Sequence, residues 1–217
     1  MNPECESTLR RETSLRTLSA LLYRISSVYH RVYTSIFYRL IFGSIGSRSR
    51  IIRPMLLFNT EFANIGIGVT IRDGARIECM RTMDRPDPYL SIGDFTSIEQ
   101  NVHIICRSRV TIGAHVTITG NCAIVDVHHI YENIVEIEKN IGSLIDPKDR
   151  PVEIGDFSFL GMFTVVLPGV RIGRNCIIGA GSIVTHDIPD FCVAVGRPAQ
   201  VVKRYDSDSK TWVREKS

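Results

Sequence analysis

From Ile154 to Val184 an aliphatic side chain returns at every sixth position: Ile154, Leu160, Val166, Ile172, Ile178 and Val184. Four residues after each stand Ser158, Thr164, Val170, Cys176, Ser182 and Ile188, mostly small or β-branched. The step occurs earlier at Ile92, Ile98 and Ile104, restarts at Ile112, Ile118 and Ile124, and is fainter at Ile65, Ile71 and Ile77. A period of six fits neither an amphipathic helix, at about 3.6, nor a heptad seam, at about 3.5. It is a whole number of strand periods, so every sixth residue of an extended chain can face the same way. Three short strands joined by sharp bends would make a triangular coil of 18 residues, the separation of Val152-Glu-Ile-Gly155 from Val170-Arg-Ile-Gly173. The aliphatic residue would fill the interior, the small one would fit near the corner, and the glycine after the aliphatic would permit the bend. A sandwich with regular turns does not require six unbroken six-residue steps, so the rhythm predicts an all-β solenoid.

A chain of 217 residues can bury one sizeable core and an added element. Its 44% hydrophobic and 23% charged residues are those of a folded domain, and a net charge of +3 does not indicate a nucleic-acid partner. Six cysteines never form C-x-x-C, which argues against a zinc ribbon or a dithiol redox site. Without a cleavable signal pattern, a reducing cytoplasm is the expected address. Residues 13–42 read as a helix with Leu18, Leu22, Ile25, Tyr29, Val32, Ile36 and Leu40 on one stripe. Arg16, Arg24, Arg31 and Arg39 interrupt it too often for a membrane span. The stripe suits either packing in an assembly or contact with an anionic membrane surface. The expected organisation is residues 1–60 as helical segment and connector, 61–204 as solenoid, and 205–217 as a tail.

The rhythm lapses after Ile124, and 42 residues separate Val110 from Val152 where two coils need 36. A loop at about 125–151 therefore leaves the solenoid, and it carries Val125-Asp-Val-His-His-Ile-Tyr-Glu-Asn133. Long loops on rigid scaffolds often carry function. Two adjacent histidines there fit a surface pair, a metal site or a catalytic base. The spacings of 12 from His103 to His115 and 13 from His115 to His128 do not suggest a metal cluster, and none is expected.

The hexapeptides, with "VVLPGVRIGRNCIIGAGSIVTHDIPD" and "VAVGRPAQVVKR", resemble the hexapeptide-repeat acyltransferases, and in particular the sugar and polysaccharide O-acetyltransferases. The likeness runs from about Ile65 to Arg204. It implies a left-handed parallel β-helix with an N-terminal α-helical segment, assembled as a homotrimer, that uses acetyl-CoA and no metal. It makes His129 the catalytic histidine, with Asp126 in the motif's aspartate place, and puts His128, Tyr131, Glu132 and Phe159 beside the acceptor. Asp126 and Glu132 are both candidates to orient the histidine. The coenzyme positions are Gly161, Met162, Gly179, Ala180, Thr185, His186, Gly196, Arg197, Pro198, Lys203 and Arg204, and Gly161 or a neighbour would meet the oxyanion through backbone N–H. Val127 replaces a motif histidine, His186 a frequent lysine and Phe159 a frequent tryptophan. The resemblance implies acetyl transfer to a sugar hydroxyl of a bacterial surface polysaccharide or its precursor. Transfer to an antibiotic, serine or amino sugar, or a non-catalytic solenoid subunit, are the alternatives.

Overall fold

The computed structural model describes residues 3–131 and 140–215, with side chains from Leu18 onward. Among the described residues, twenty-one short strands follow one helix, Pro3–Ile36, and a 3₁₀ turn, Tyr38–Leu40. The chain visits three sheets in rotation, laying down one strand on each before returning to the first. Sheet one runs Ser44–Ile45, Ala63–Ile65, Tyr89–Ile92, Arg109–Ile112, Val152–Ile154 and Arg171–Ile172, all parallel. Sheet two begins Arg50–Ile51, Thr70–Ile71, Ser97–Ile98, Thr117–Ile118, Phe159–Leu160 and Ile177–Ile178. Sheet three holds Leu56–Phe58, Arg76–Cys79, His103–Cys106, Ala123–Val125, Val165–Val166 and Ile183–Val184.

The register turns the sixfold rhythm into vertical columns. Ile51, Ile71, Ile98, Ile118, Leu160 and Ile178 are successive partners in sheet two, each with 0% exposure. At a strand spacing of about 4.8 Å each aliphatic side chain lies directly on the one below, and water is excluded along the whole axis. The small residues bind one coil to the next. Buried Ser158 Oγ accepts from Cys176 N at 3.1 Å and donates to Gly173 O at 2.8 Å. Thr96 makes the same pair of bonds with Val116 N at 3.1 Å and Gly113 O at 2.8 Å. A hydroxyl there supplies backbone groups that the corner leaves without a strand partner.

The bends correct one expectation. The residue in left-handed backbone geometry is not the glycine after the aliphatic but the residue two further on: Phe95 (φ 56°), His115 (φ 56°), Phe157 (φ 59°), Phe163 (φ 61°) and Asn175 (φ 52°). The glycines are required for space instead. A Cβ on Gly113 would stand 2.7 Å from Asp156 N, and one on Gly155 would stand 2.5 Å from Arg174 N.

The coiled region also begins earlier than residue 61, because Ser44–Ile45, Arg50–Ile51 and Leu56–Phe58 already form a full turn. The helix covers Pro3–Ile36 rather than 13–42, and Thr34 Oγ1 accepts the Ile51 N–H at 2.9 Å. At the far end Cys192–Gly196 joins sheet two, then Ala199–Asp206 and Thr211–Arg214 fold back antiparallel. Part of the expected tail is thus strand, with Trp212 edge-on to Tyr205 at 5.5 Å. Leu160→Ala, at the centre of a fully buried column, is expected to lower stability by about 2–5 kcal/mol in chemical denaturation.

Candidate active site

The loop after Ala123–Val125 begins with a clamp. Asp126 is 2% exposed, and its carboxylate accepts the backbone N–H of Arg107 (2.5 Å), Ser108 (2.6 Å) and Arg109 (2.9 Å), and the Ser108 hydroxyl (2.9 Å). With four donors on two oxygens, Asp126 fixes where the loop leaves the coil. Expected as a histidine's orienting carboxylate, it has no contact with a histidine ring among the described residues. Arg107, 1% exposed, is the loop's second anchor: its guanidinium meets Asp84, Asp149 at 3.6 Å and the Pro147 carbonyl at 3.3 Å. Arg85 adds a bond to Asp149 at 2.8 Å, so the 80–88 loop and the histidine loop are held together.

The histidines lie on a short antiparallel bridge. Ile130 N donates to Leu144 O (2.9 Å), Asp146 N donates to His128 O (2.8 Å), and His129 pairs with Ile145. Successive residues of an extended segment face opposite ways, so His128 and His129 serve different sides of the loop. His128 turns toward the protein, with Nδ1 3.7 Å from Asp146 Oδ2 and its ring 6.2 Å from Tyr131. Asp146 is held in turn by Lys148 N (3.0 Å) and Arg150 (2.9 Å), which keep its carboxyl below the ordinary value of 3.8. That anchorage is therefore present above the ordinary range and is lost only as pH falls through the lowered value. His129 and Tyr131 are exposed, and Glu132 lies outside the described residues.

The expected coenzyme residues fall in two places. Gly161, Met162, Gly179, Ala180, Gly196 and Arg197 share the corner that follows sheet two. There a Cβ on Gly161 would stand 2.5 Å from Ala180 N, and one on Gly179 would stand 2.6 Å from Val195 Cγ1. Arg197 Nε donates to Gly181 O at 2.6 Å, and Pro198 follows it through a cis bond. Gly161 N–H is already donated to Ile178 O at 2.8 Å, and its neighbour Met162 is exposed. Thr185 and His186, their Oγ1 and Nδ1 2.7 Å apart, follow sheet three and sit at a different corner. Lys203 is exposed, while Arg204 Nε is engaged by Glu215 at 2.8 Å. Phe159 faces outward from sheet two, 42% exposed. No hydrogen bond, ion pair or ring contact joins the histidine strip to the glycine corner among the described residues.

The described thiols offer no nucleophile. Cys79, Cys106, Cys122, Cys176 and Cys192 are buried and unpaired. A hydrogen bond with Cys79, then burial, pushes the Cys106 thiol up, and burial does the same to Cys122, Cys176 and Cys192. A protonated buried thiol is no nucleophile. Arg107, Asp146 and Asp149 carry the loop's anchorage and have no sequence motif.

A family model described as bacterial transferase hexapeptide (six repeats) matches residues 151–186. Over 185 residues the chain is 30% identical to WbbJ of Escherichia coli K12, covering 82% of this chain and 87% of that one. The chain belongs to the hexapeptide-repeat acyltransferase family. WbbJ is named as a lipopolysaccharide biosynthesis O-acetyl transferase. A galactoside O-acetyltransferase of Lactococcus lactis is 36% identical to this family member over 113 residues, 52% of each chain. The crystal structure of AntD, an N-acyltransferase from Bacillus cereus, in complex with dTDP and 3-hydroxybutyryl-CoA, superposes with a TM-score of 0.65. It covers 81% of this chain and 90% of that one at 16% identity, a likeness of fold.

Replacing Asp126 by Asn removes a charged acceptor from three backbone amides, two of them buried. The expected results are a loss of about 1–3 kcal/mol and faster hydrogen exchange at Arg107–Arg109.

Proposed function

We propose that the chain is one subunit of a homotrimeric, left-handed β-helix enzyme that moves acetyl from acetyl-CoA to a sugar hydroxyl. The acceptor belongs to a bacterial surface polysaccharide or its precursor, and the enzyme works on the cytoplasmic side. The observation that carries this reading is the Asp126–Tyr131 strip, held on an anchored loop of a coil that is 30% identical to a protein named as a lipopolysaccharide O-acetyl transferase.

In this reading exposed His129 takes the proton from the acceptor hydroxyl as its oxygen attacks the thioester carbonyl. A carbon–oxygen bond forms, the carbonyl becomes an oxyanion met by the Met162 N–H, and the carbon–sulfur bond then breaks. The departing thiolate receives the proton from His129, so no acyl-enzyme is needed. The glycine corner lets the coenzyme's pantetheine arm lie close to the backbone, and Lys203 meets its phosphates. Within one chain that corner and the histidine strip do not touch, which supports a site shared between subunits. The acceptor side is Tyr131, His128 and Phe159, with Glu132 outside the described residues.

The test measures transfer to hydroxyl and amine acceptors beside acetyl-CoA binding by calorimetry. His129→Ala should lower kcat about 10²–10⁴-fold, with coenzyme binding within a few-fold of normal. His128→Ala should cost less than tenfold. A His129→Ala enzyme at the wild-type rate, or no acetyl-CoA binding, overturns the reading. Sedimentation is expected at three times the 24.4 kDa chain mass.

A further inference from the structure

The N-terminal helix is inverted relative to its own domain. Leu18, Leu22, Ile25, Tyr29, Val32 and Ile36 follow at steps of four and three, and every one is more than 50% exposed. Leu21 and Val28 widen the stripe and are equally open, at 53% and 57%. The side chains that meet the coil are polar instead. Arg50 donates to Ser27 Oγ at 2.5 Å and to the Tyr23 hydroxyl at 3.4 Å, while fully buried Thr34 receives the Ile51 N–H. Ser27 stands two residues from Ile25 and Tyr29, and Thr34 two from Val32 and Ile36. At about 100° per residue, the contacting face is opposite the apolar one. An amphipathic helix ordinarily does the reverse and buries its stripe on its own core. Nothing in the chain covers this stripe among the described residues, and it runs on through Phe37 and Leu40, the latter 81% exposed.

Charge identifies the occupant. Residues 13–53 contain seven arginines and no aspartate or glutamate, a net +7 in a chain of net +3, so the remainder sums to −4. Arg53 is neutralised by Asp73 at 2.6 Å, but Arg24, Arg31, Arg39 and Arg48 have no acidic partner among the described residues. A parallel seam between helices of several copies would gather Arg24, Arg31 and Arg39 level with one another, with no carboxylate between residues 13 and 53 to pair them, whereas helix seams are specified by opposite charges along their flanks. An anionic lipid surface answers both features at once, receiving the apolar stripe at the acyl boundary and the guanidinium groups among the phosphates. No described helix is long and apolar enough to cross a membrane, so the helix would lie in the surface plane. We infer that the N-terminal helix anchors the coil to an anionic membrane surface, apolar face into the lipid and polar face toward the protein. This inference stands apart from the acyl-transfer reading.

Flotation of the full chain with vesicles of phosphatidylcholine and phosphatidylglycerol, against phosphatidylcholine alone, tests it. Binding is expected to the anionic vesicles only and to fall as salt is raised. Arg24→Ala/Arg31→Ala should weaken partitioning at least tenfold, and Leu22→Ser/Ile25→Ser/Val32→Ser should abolish it. Circular dichroism and thermal melting show that each variant is folded. If a variant fails to fold, brominated-lipid quenching of tyrosine fluorescence in the unaltered chain takes its place: quenching supports the anchor, and none overturns it. No flotation, or flotation unchanged in the folded apolar variant, overturns the inference. So does an apolar variant that changes only the sedimenting mass, which would assign the stripe to contacts between copies.

Discussion

Everything in this molecule hangs on the vertical alignment of one aliphatic side chain per strand. The interior is only as wide as three such side chains meeting from three sheets, so a polar or missing residue has no lateral neighbour to compensate for it. The column Ile51, Ile71, Ile98, Ile118, Leu160 and Ile178 shows the consequence: each coil is held by the one before and the one after. The corner hydroxyls of Ser158 and Thr96 bolt the same neighbours together through backbone groups. Order is therefore passed along the axis one level at a time.

That economy is why a long loop can leave the coil without breaking it. Ile112↔Ile154 pairing spans the excursion, and the ladder resumes in register on the far side. The loop is tied to the scaffold at its base by the Asp126 carboxylate and across its far limb by Arg107. A single buried arginine reaching Asp84 and Asp149 makes the histidine strip answerable to a second loop, 80–88, remote in sequence. Shape and charge around His128 and His129 are thus set by three separate stretches of chain.

The sixfold columns were readable because burial repeats with the same period as the sequence. The first turn was not read, although Ile45, Ile51 and Leu57 keep the same step, because it adjoins a helix and lacks the glycine marker at two of its three sides. The glycine after the aliphatic marks the bend in sequence, but the positive φ falls two residues on, at Phe95, His115 and Phe157, residue types that carry no signature of it. In the loop the histidines stood out, but Asp126 as a base clamp and Asp146 beside His128 depend on pairings that only folding creates. The helix and its apolar stripe were legible; its boundaries were not. Its inversion was not, because periodicity states which residues share a face and never which way the face turns.

A stack of parallel strands has two raw ends, each a row of unpaired backbone groups on which another molecule could add. Thr34 takes the Ile51 amide at one of these, and the antiparallel hairpin of Ala199–Asp206 and Thr211–Arg214 continues sheet two at the other. The helix and the C-terminal hairpin thereby change what sheet two offers at its two ends: a hydroxyl at one, and strands of reversed direction at the other.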